Sequence, residues 1–314
     1  MSDSAPAPAA QWRSPAGQWR GYAFGLLGVL AFSLTLPATR VAVASFDPFF
    51  VGLGREFVAA CLAGPLLFFT RQPRPNASQL RRLWIVVATL VFGFPIFSAL
   101  AMQRADASHG AVILGLLPLA TAVAGFLRAH ERPSFAFWCA SATGSCAVVG
   151  FALAQGGGRF TVADWALLAA VISSAFGYAE GGRLGRELGG WQVICWALVL
   201  GLPLIVPAVG WLTWQHGLVA TPASWIGFAY VGVISAFLGF FPWYHGLAIG
   251  GVARVGQIQL LQPFFTLAFA AAFLGETFSL RALLAASLVA VSILISRRTE
   301  IRHRAPPAAP AAPV

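Results

Sequence analysis

Residues 254–276 read RVGQIQLLQPFFTLAFAAAFLGE, and this stretch decides the fold class. It is apolar enough and long enough to cross a bilayer as a helix, which takes about 20 residues. Gln259, Gln262 and Thr266 follow the i, i+3, i+7 spacing that aligns side chains along one side of a helix. Because amides facing lipid are costly, we predict that this stripe faces a protein interior or a water-filled cavity.

An earlier stretch, residues 109–131, reads HGAVILGLLPLATAVAGFLRAHE and resembles the first at an offset of 145 residues. Pro118 then aligns with Pro263, and a glutamate ends both stretches. This correspondence predicts an internal repeat, which is how many transporters are built. For Pro118 and Pro263 we predict a hinge in each repeat; the alternative is an ordinary packing kink, which membrane helices tolerate.

Composition places the chain in a membrane. Hydrophobic residues make up 58% and charged residues 10%, well below the roughly 25% charge of a soluble domain. The twenty basic residues are all arginines, scattered at the ends of apolar runs rather than clustered on one face, so nucleic-acid binding is not predicted despite the net charge of +10. The four cysteines lie in apolar runs without a CxxC pair, and no metal site is expected.

Ten hydrophobic runs predict ten transmembrane helices, over residues 21–44, 48–70, 83–102, 107–129, 134–154, 164–186, 191–211, 224–249, 254–275 and 279–296. They divide into a first five-helix repeat at 21–154 and a second at 164–296, joined by a loop at 155–163. Residues 1–20 are expected to form a disordered tail and residues 297–314 a basic tail.

Arginine positions predict the orientation. With the N-terminus in the cytoplasm, fifteen arginines fall at cytoplasmic ends of the runs and four at the opposite ends, as the positive-inside rule requires. Both termini are then cytoplasmic, in the inner membrane. Because each repeat has an odd number of helices, the second is inverted relative to the first, and the expected fold is all-α with a central cavity between the repeats.

The chain resembles the EamA-type ten-helix members of the drug/metabolite transporter superfamily over about residues 21–298. The segments that carry the resemblance are GLLPLATAVAGFLRAHERPS (115–134), LLQPFFTLAFAAAFLGETFS (260–279), GLGREF (52–57) and ISSAFGYAEGGRL (172–184). The resemblance implies two inverted five-helix repeats around a cavity. It also implies secondary transport, mostly export, of amino acids, metabolites or drugs.

Arg55 lies within the second predicted helix, where an ionisable residue is a functional candidate because of its desolvation cost. One interpretation is that it binds a substrate carboxylate. The other is a structural pairing with Glu56 or with backbone carbonyls freed at a kink; adjacent residues on a helix point about 100° apart and need not pair.

Two further groups carry open alternatives. Glu180 is a candidate for proton coupling, because a partly buried carboxylate can load and release a proton, but it is also spaced i, i+3 from Arg183 for a simple ion pair. Tyr244, within Trp243-Tyr244-His245, belongs either to an interfacial aromatic belt or to the wall of a site for a planar substrate.

Together these features predict a secondary transporter, an exporter of a small amphipathic metabolite such as an amino acid, with drug efflux and a passive channel as alternatives. No enzyme motif and no cofactor-binding motif is recognisable in the sequence. The expected partners are the substrate, the lipid bilayer and a proton, in a monomer or a homodimer. The predicted substrate-binding residues are Gln259, Gln262, Thr266, Ser33, Ser173, Tyr178, Glu180, Arg55 and Tyr244.

Overall fold

A computed structural model of the chain describes residues 15–129 and 160–276, with residues 131–135, 138–139, 142–147, 150, 280, 283–284, 287–288, 291 and 301–303. Within these ranges, eight helices are long and apolar enough to cross a membrane. They are α1 (Trp19–Val43), α2 (Pro48–Phe69), α3 (Ala77–Met102), α4 (Ala107–Arg128), α5 (Val162–Leu188), α6 (Gly190–His216), α7 (Pro222–Gly250) and α8 (Val252–Leu274).

These eight correspond to eight of the ten predicted spans. The predicted spans at 134–154 and 279–296 lie largely outside the described residues. Where residues of 135–150 and 280–291 are described, they are helical, and Phe135, Leu280 and Leu284 expose most of their side chains. The third span begins earlier than predicted, because Asn76 and Gln79 form a reciprocal capping box at its start.

Most of the membrane-length helices are interrupted near their middles. The segments are Pro15–Ser33 and Thr35–Val43 in α1; Ala77–Val86, the π-helical Val87–Gly93 and Phe94–Met102 in α3; Ala107–Leu114 and Leu117–Ala129 in α4; Pro222–Ala229, the π-helical Tyr230–Leu238 and Phe240–Gly250 in α7; and Val252–Gly256, the 3₁₀ turn Gln257–Leu261 and Gln262–Leu274 in α8. α2, α5 and α6 are continuous.

Proline explains where several new segments begin. Pro95, Pro118 and Pro263 each occupy the second position of a helical segment, where the missing N–H would have no intrahelical acceptor. Pro203 and Pro207 lie inside α6, which continues through both. Membrane helices thus tolerate prolines at these two positions without a break in the helix.

The packing of the helices shows the internal repeat. In the first repeat, α1 packs against α7 and α8 of the second repeat. Its counterpart α5 packs in the same way against α3 and α4 of the first repeat. α2 pairs with α6, and α4 with α8, across the repeat interface. Every contact is thus reproduced when α1–α4 are exchanged with α5–α8.

The second repeat is inverted, as predicted. Arg40, near the end of α1, forms an ion pair with Asp106 just before α4 (2.5 Å), and His109 on α4 contacts Asp164 in the first turn of α5 (2.6 Å). The end of α1 and the start of α5 therefore share one side of the bundle, so these two corresponding helices run in opposite directions. We call this side the Glu276 end, and the side that carries Arg82, Arg128 and Arg183 the basic end.

Two short strands lie outside the membrane-length helices. β1 (Glu131–Pro133), directly after α4, pairs antiparallel with β2 (Ile301–His303). This pairing places residues 301–303 beside the chain that leaves α4.

Glycines allow α1 and α7 to pack backbone to backbone at the basic end. A Cβ atom added to Gly21 would lie 2.9 Å from the Cα of Gly250, and one added to Gly246 would lie 2.9 Å from the carbonyl oxygen of Gly21. Small residues at such crossings are how helices in lipid approach closely. This contact closes the basic end of the bundle between α1 and α7.

Candidate substrate cavity

A cavity lies between the helices, with about 280 Å³ of empty space that includes the part open to solvent. It is lined by side chains from α1 to α5, α7 and α8: Phe32, Thr35, Arg55, Phe94, Leu114, Leu117, Tyr178, Ser235, Phe240 and Gln262.

The cavity lies where the helices are broken. Leu114 and Leu117 flank the interruption of α4, and Ser235 lies in the π-helical segment of α7. Phe94 and Gln262 are the first residues after the irregular segments of α3 and α8. Discontinuous helices meeting at the interface of inverted repeats are the usual setting of a substrate site in secondary transporters.

Arg55 brings the positive charge of the site. Its side chain is 3% exposed, and its Nε lies 3.1 Å from Oε1 of Glu56, which is equally buried. Nη2 donates to Oγ of Ser235 at 3.0 Å, and that oxygen lies 2.7 Å from Oγ1 of Thr35. The guanidinium carbon stands 5.9 Å from the ring centroid of Phe94, within the range of a cation–π contact.

The pairing of Arg55 with Glu56, one of the two sequence-based interpretations, is present. It does not use every donor of the guanidinium, because Nη1 is buried and has no partner among the described residues. Arg55 therefore lines the cavity with both N–H bonds of Nη1 still available, and the pairing is compatible with a ligand contact.

The glutamine stripe faces the protein interior, as predicted. Gln262 and Gln259 are buried, at 6% and 1% exposure, and Gln262 lines the cavity. Gln259 lies in the 3₁₀ turn, which packs against α1 and α4, and neither atom of its amide has a partner among the described residues. The Gln259 amide therefore has unused hydrogen-bonding capacity between α8, α1 and α4, and leaving a buried amide unpaired is costly.

Thr266 and Ser33 lie at the contact between α8 and α1 rather than among the described cavity-lining residues. The Thr266 hydroxyl donates to the Ser33 carbonyl oxygen at 2.8 Å, and the Ser33 hydroxyl donates to the Val29 carbonyl oxygen at 2.6 Å. Ser173 is half-buried on α5, where a Cβ added to Gly93 of α3 would meet its Oγ at 2.6 Å. These three side chains support the helices that form the cavity.

Glu180 lies at the basic end, fully buried, with arginines from three helices around it. Arg82 of α3 donates to its Oε1 at 2.6 Å, and Arg128 of α4 donates to its Oε2 at 3.0 Å. Arg183, the partner that the i, i+3 spacing suggested, is farther away at 3.9 Å. The structure thus places Glu180 in an ion-pair cluster outside the described cavity lining.

Tyr244 and its neighbour Trp243 are both fully buried, so the interfacial-belt interpretation of this pair is wrong. The Trp243 ring packs on Tyr178 with centroids 5.2 Å apart, behind the cavity wall. The Tyr244 hydroxyl donates to the Gly177 carbonyl oxygen at 3.2 Å and joins α7 to α5. Glycines along α5, where a Cβ on Gly181 would overlap the Tyr244 ring, make room for it.

Sequence reasoning missed two polar members of the site, Thr35 and Ser235. Their hydroxyl oxygens lie 2.7 Å apart although they are separated by 200 residues in the chain. Each is an ordinary hydroxyl in an apolar run, and hydroxyls are common in membrane helices. The one available signal was the position of Thr35 beside Pro37, where a helix is expected to break.

Broken helices, inverted repeats and a buried polar cavity between them define a polytopic membrane protein with the architecture of a transporter. The EamA-like transporter family matches this chain twice, at residues 19–153 and 161–298. The chain therefore belongs to the EamA-like transporter family and is a membrane transporter.

Two relatives carry names of transporters. The protein named "Uncharacterized transporter YdeK" of Bacillus subtilis (strain 168) is 49% identical over 259 residues, which cover 82% of this chain and 89% of that protein. The "Probable terminal-alkyne amino-acid exporter" of Streptantibioticus cattleyicolor is 27% identical over 286 residues, covering 89% and 94%. A crystal structure superposes with a TM-score of 0.68 at 15% identity, covering 88% of this chain and 98% of the other, which shows a shared fold.

Proposed function

We propose that this transporter is an inner-membrane secondary carrier that exports a small amphipathic metabolite, such as an amino acid, by alternating access. The observation that carries this proposal is the cavity at the breaks of the helices, where Arg55 and Gln262 provide polar contacts among phenylalanine and leucine side chains. A site of this composition suits a ligand with one polar end and one apolar end.

The proposed organisation is two five-helix repeats, 21–154 and 164–296, joined by a loop at 155–163 and flanked by cytoplasmic tails at 1–20 and 297–314. The double match to the family supports these two units. The arginine bias supports a cytoplasmic location for the basic end. In this arrangement the export path runs from the basic end to the Glu276 end.

Alternating access requires each end to open in turn. The basic end is held by the Glu180 cluster and by the close contact of α1 with α7. At the Glu276 end, the Glu276 carboxylate accepts hydrogen bonds from the N–H groups of Ala107 (3.2 Å) and Ser108 (3.0 Å) at the start of α4. We propose that these two sets of contacts break alternately, with Pro118 and Pro263 as hinges.

Export of an amino acid is favoured over the alternatives by two observations. The named amino-acid exporter shares most of its length with this chain, although its substrate is a property of that protein alone. Nine of the ten described lining residues are also buried, which favours a carrier over an open passive channel. Efflux of drugs by the same fold is the second candidate.

The test is counterflow of labelled amino acids in vesicles reconstituted with the purified protein. Gln262→Leu is expected to reduce flux strongly while the folded yield is kept. Gln257→Leu is the matched control, because Gln257 is equally buried but is not among the described residues that line the cavity. Unchanged flux in Gln262→Leu would remove this residue from the site, and absence of saturable counterflow in the wild type would contradict the carrier mechanism.

A further inference from the structure

With Arg55 and Glu56 both charged, as their ion pair implies, the cavity is electrically balanced before any ligand enters. Among the described residues, Arg55 and Glu56 are each the charged neighbour of the other. The Tyr178 hydroxyl is the other titratable group near the Arg55 guanidinium. Both charged side chains are 3% exposed. The ion pair therefore contributes no net charge to a site whose lining side chains are mostly buried.

The same ion pair leaves one strong donor for a ligand. Nη1 of Arg55 is buried without a partner among the described residues, while Arg55 lines the cavity. A guanidinium N–H in such a place binds a carboxylate better than a neutral acceptor, because charge-assisted hydrogen bonds are roughly twice as strong as neutral ones. This donor requires a ligand with an anionic end.

Charge balance then restricts the rest of the ligand. A carboxylate without a counter-charge would leave the buried set with a net negative charge, and an amine cation would leave it positive. Either net charge is unfavourable in a buried site, because no partner offsets the cost of removing the unpaired charge from water. A ligand that carries both a carboxylate and an ammonium keeps the set neutral, and the amide oxygen of Gln262 and the hydroxyl of Tyr178 line the cavity as acceptors for the ammonium.

The remaining walls suit an apolar side chain. Phe32, Phe94, Leu117 and Phe240 surround the polar centre of the cavity. Burying an aliphatic or aromatic group against them would contribute free energy in proportion to the apolar area removed from water.

We propose that Arg55 and Glu56 act together as a charge filter that makes the cavity select zwitterions with one carboxylate, one ammonium and an apolar side chain. Arg55 binds the carboxylate through Nη1, and Glu56 sets the net charge that the ligand must match. This inference rests on the proposed function, in which the cavity is the substrate site. It separates an amino-acid exporter from an exporter of cationic drugs, which the same filter would reject.

The experiment compares three ligands that share the isobutyl side chain: leucine, 4-methylpentanoate, which lacks the ammonium, and 3-methylbutylamine, which lacks the carboxylate. Binding to the purified full-length protein is measured by calorimetry at neutral pH, with thermal stabilisation as a second readout. Leucine is expected to bind more tightly than either analogue by about ten-fold or more, since a single uncompensated buried charge is costly.

Two variants make the filter falsifiable. Glu56→Gln leaves the site with a net positive charge, so its preference is expected to move from leucine to 4-methylpentanoate. The double variant R55Q/E56Q keeps the site neutral and leaves no unpaired buried charge, but it removes the guanidinium that binds the ligand carboxylate. The affinities of this variant for the three ligands are therefore expected to converge. Glu187→Gln, at the partly exposed rim of the basic end, is the control in which the wild-type ranking persists.

The outcomes distinguish the filter from the proposed function. Tighter binding of 3-methylbutylamine than of leucine, no leucine binding, or an unchanged ranking in Glu56→Gln would overturn the filter. Amino-acid counterflow in vesicles would in those cases still support the carrier. Absence of counterflow with any amino acid would instead overturn the proposed function.

Discussion

The hydroxyl of Thr266 donates a hydrogen bond of 2.8 Å to the carbonyl oxygen of Ser33, and both groups are buried. In a regular helix, that carbonyl would accept from the N–H of residue 37, but Pro37 has no N–H. The interruption of α1 at Leu34 thus leaves an orphan acceptor, and α8 supplies the donor. The Tyr230 hydroxyl of α7 also donates to the carbonyl oxygen of Ala31, near the same break, at 2.8 Å. Helices of the second repeat therefore hold the break in α1.

Thr266→Val should lower the free energy of unfolding by about 1–3 kcal/mol, because it leaves a buried carbonyl without a donor while preserving the side-chain volume. The measurement is chemical unfolding of the purified protein in detergent. Thr266→Ser is the matched control, since it retains the hydroxyl and loses one methyl group. Equal stability of the valine variant and the wild type would show that another group satisfies the Ser33 carbonyl.

Glu180→Gln should destabilise the protein, at its basic end, more strongly than Thr266→Val does. It removes the carboxylate on which Arg82, Arg128 and Arg183 converge and leaves their charges uncompensated, a change that costs about 3–5 kcal/mol for buried pairs. These arginines are partly exposed, so solvent screening places the expected loss at the lower end of that range.

The control for Glu180→Gln is Glu187→Gln, because Glu187 bonds to Arg82 in the same cluster but its side chain is 43% exposed. Glu187→Gln should lower the free energy of unfolding by about 1 kcal/mol or less. Thermal unfolding of both variants, together with amide exchange at the start of α3, would measure the difference. Similar losses in the two variants would contradict a dominant role of burial at Glu180.

Gly246→Ala tests the close contact of α1 and α7. The new Cβ would lie 2.9 Å from both the Gly21 carbonyl oxygen and the Gly25 nitrogen, which are backbone atoms that cannot rotate away. We expect a loss of about 1–3 kcal/mol, typical of overpacking. Gly210→Ala is the control, since its Cβ meets no atom within 4 Å, and it should be neutral or slightly stabilising. A neutral Gly246→Ala would mean that α1 and α7 separate readily at this end.

The amino-acid sequence alone was sufficient for the architecture. Apolar runs of membrane length, arginines at alternating ends and the 145-residue offset between two proline-bearing stretches predicted inverted repeats, and the packing of α1 with α7 and of α5 with α3 confirmed them. Arg55 was also recognisable as a candidate site residue, because a charged side chain within an apolar membrane segment is costly and is therefore rare outside functional or paired positions. These features are properties of composition and spacing, which a sequence states directly.

Only the tertiary structure decided which polar groups meet. Helical periodicity assigned Gln262 and Thr266 to one side of a helix. In the structure, Gln262 lines the cavity, whereas Thr266 donates a hydrogen bond to the Ser33 carbonyl oxygen at the break in α1. Glu180 found its nearest partners on α3 and α4, far away in the chain. Spacing along one helix determines the face on which a side chain lies, whereas the neighbour that occupies that face is determined by the packing of the other helices.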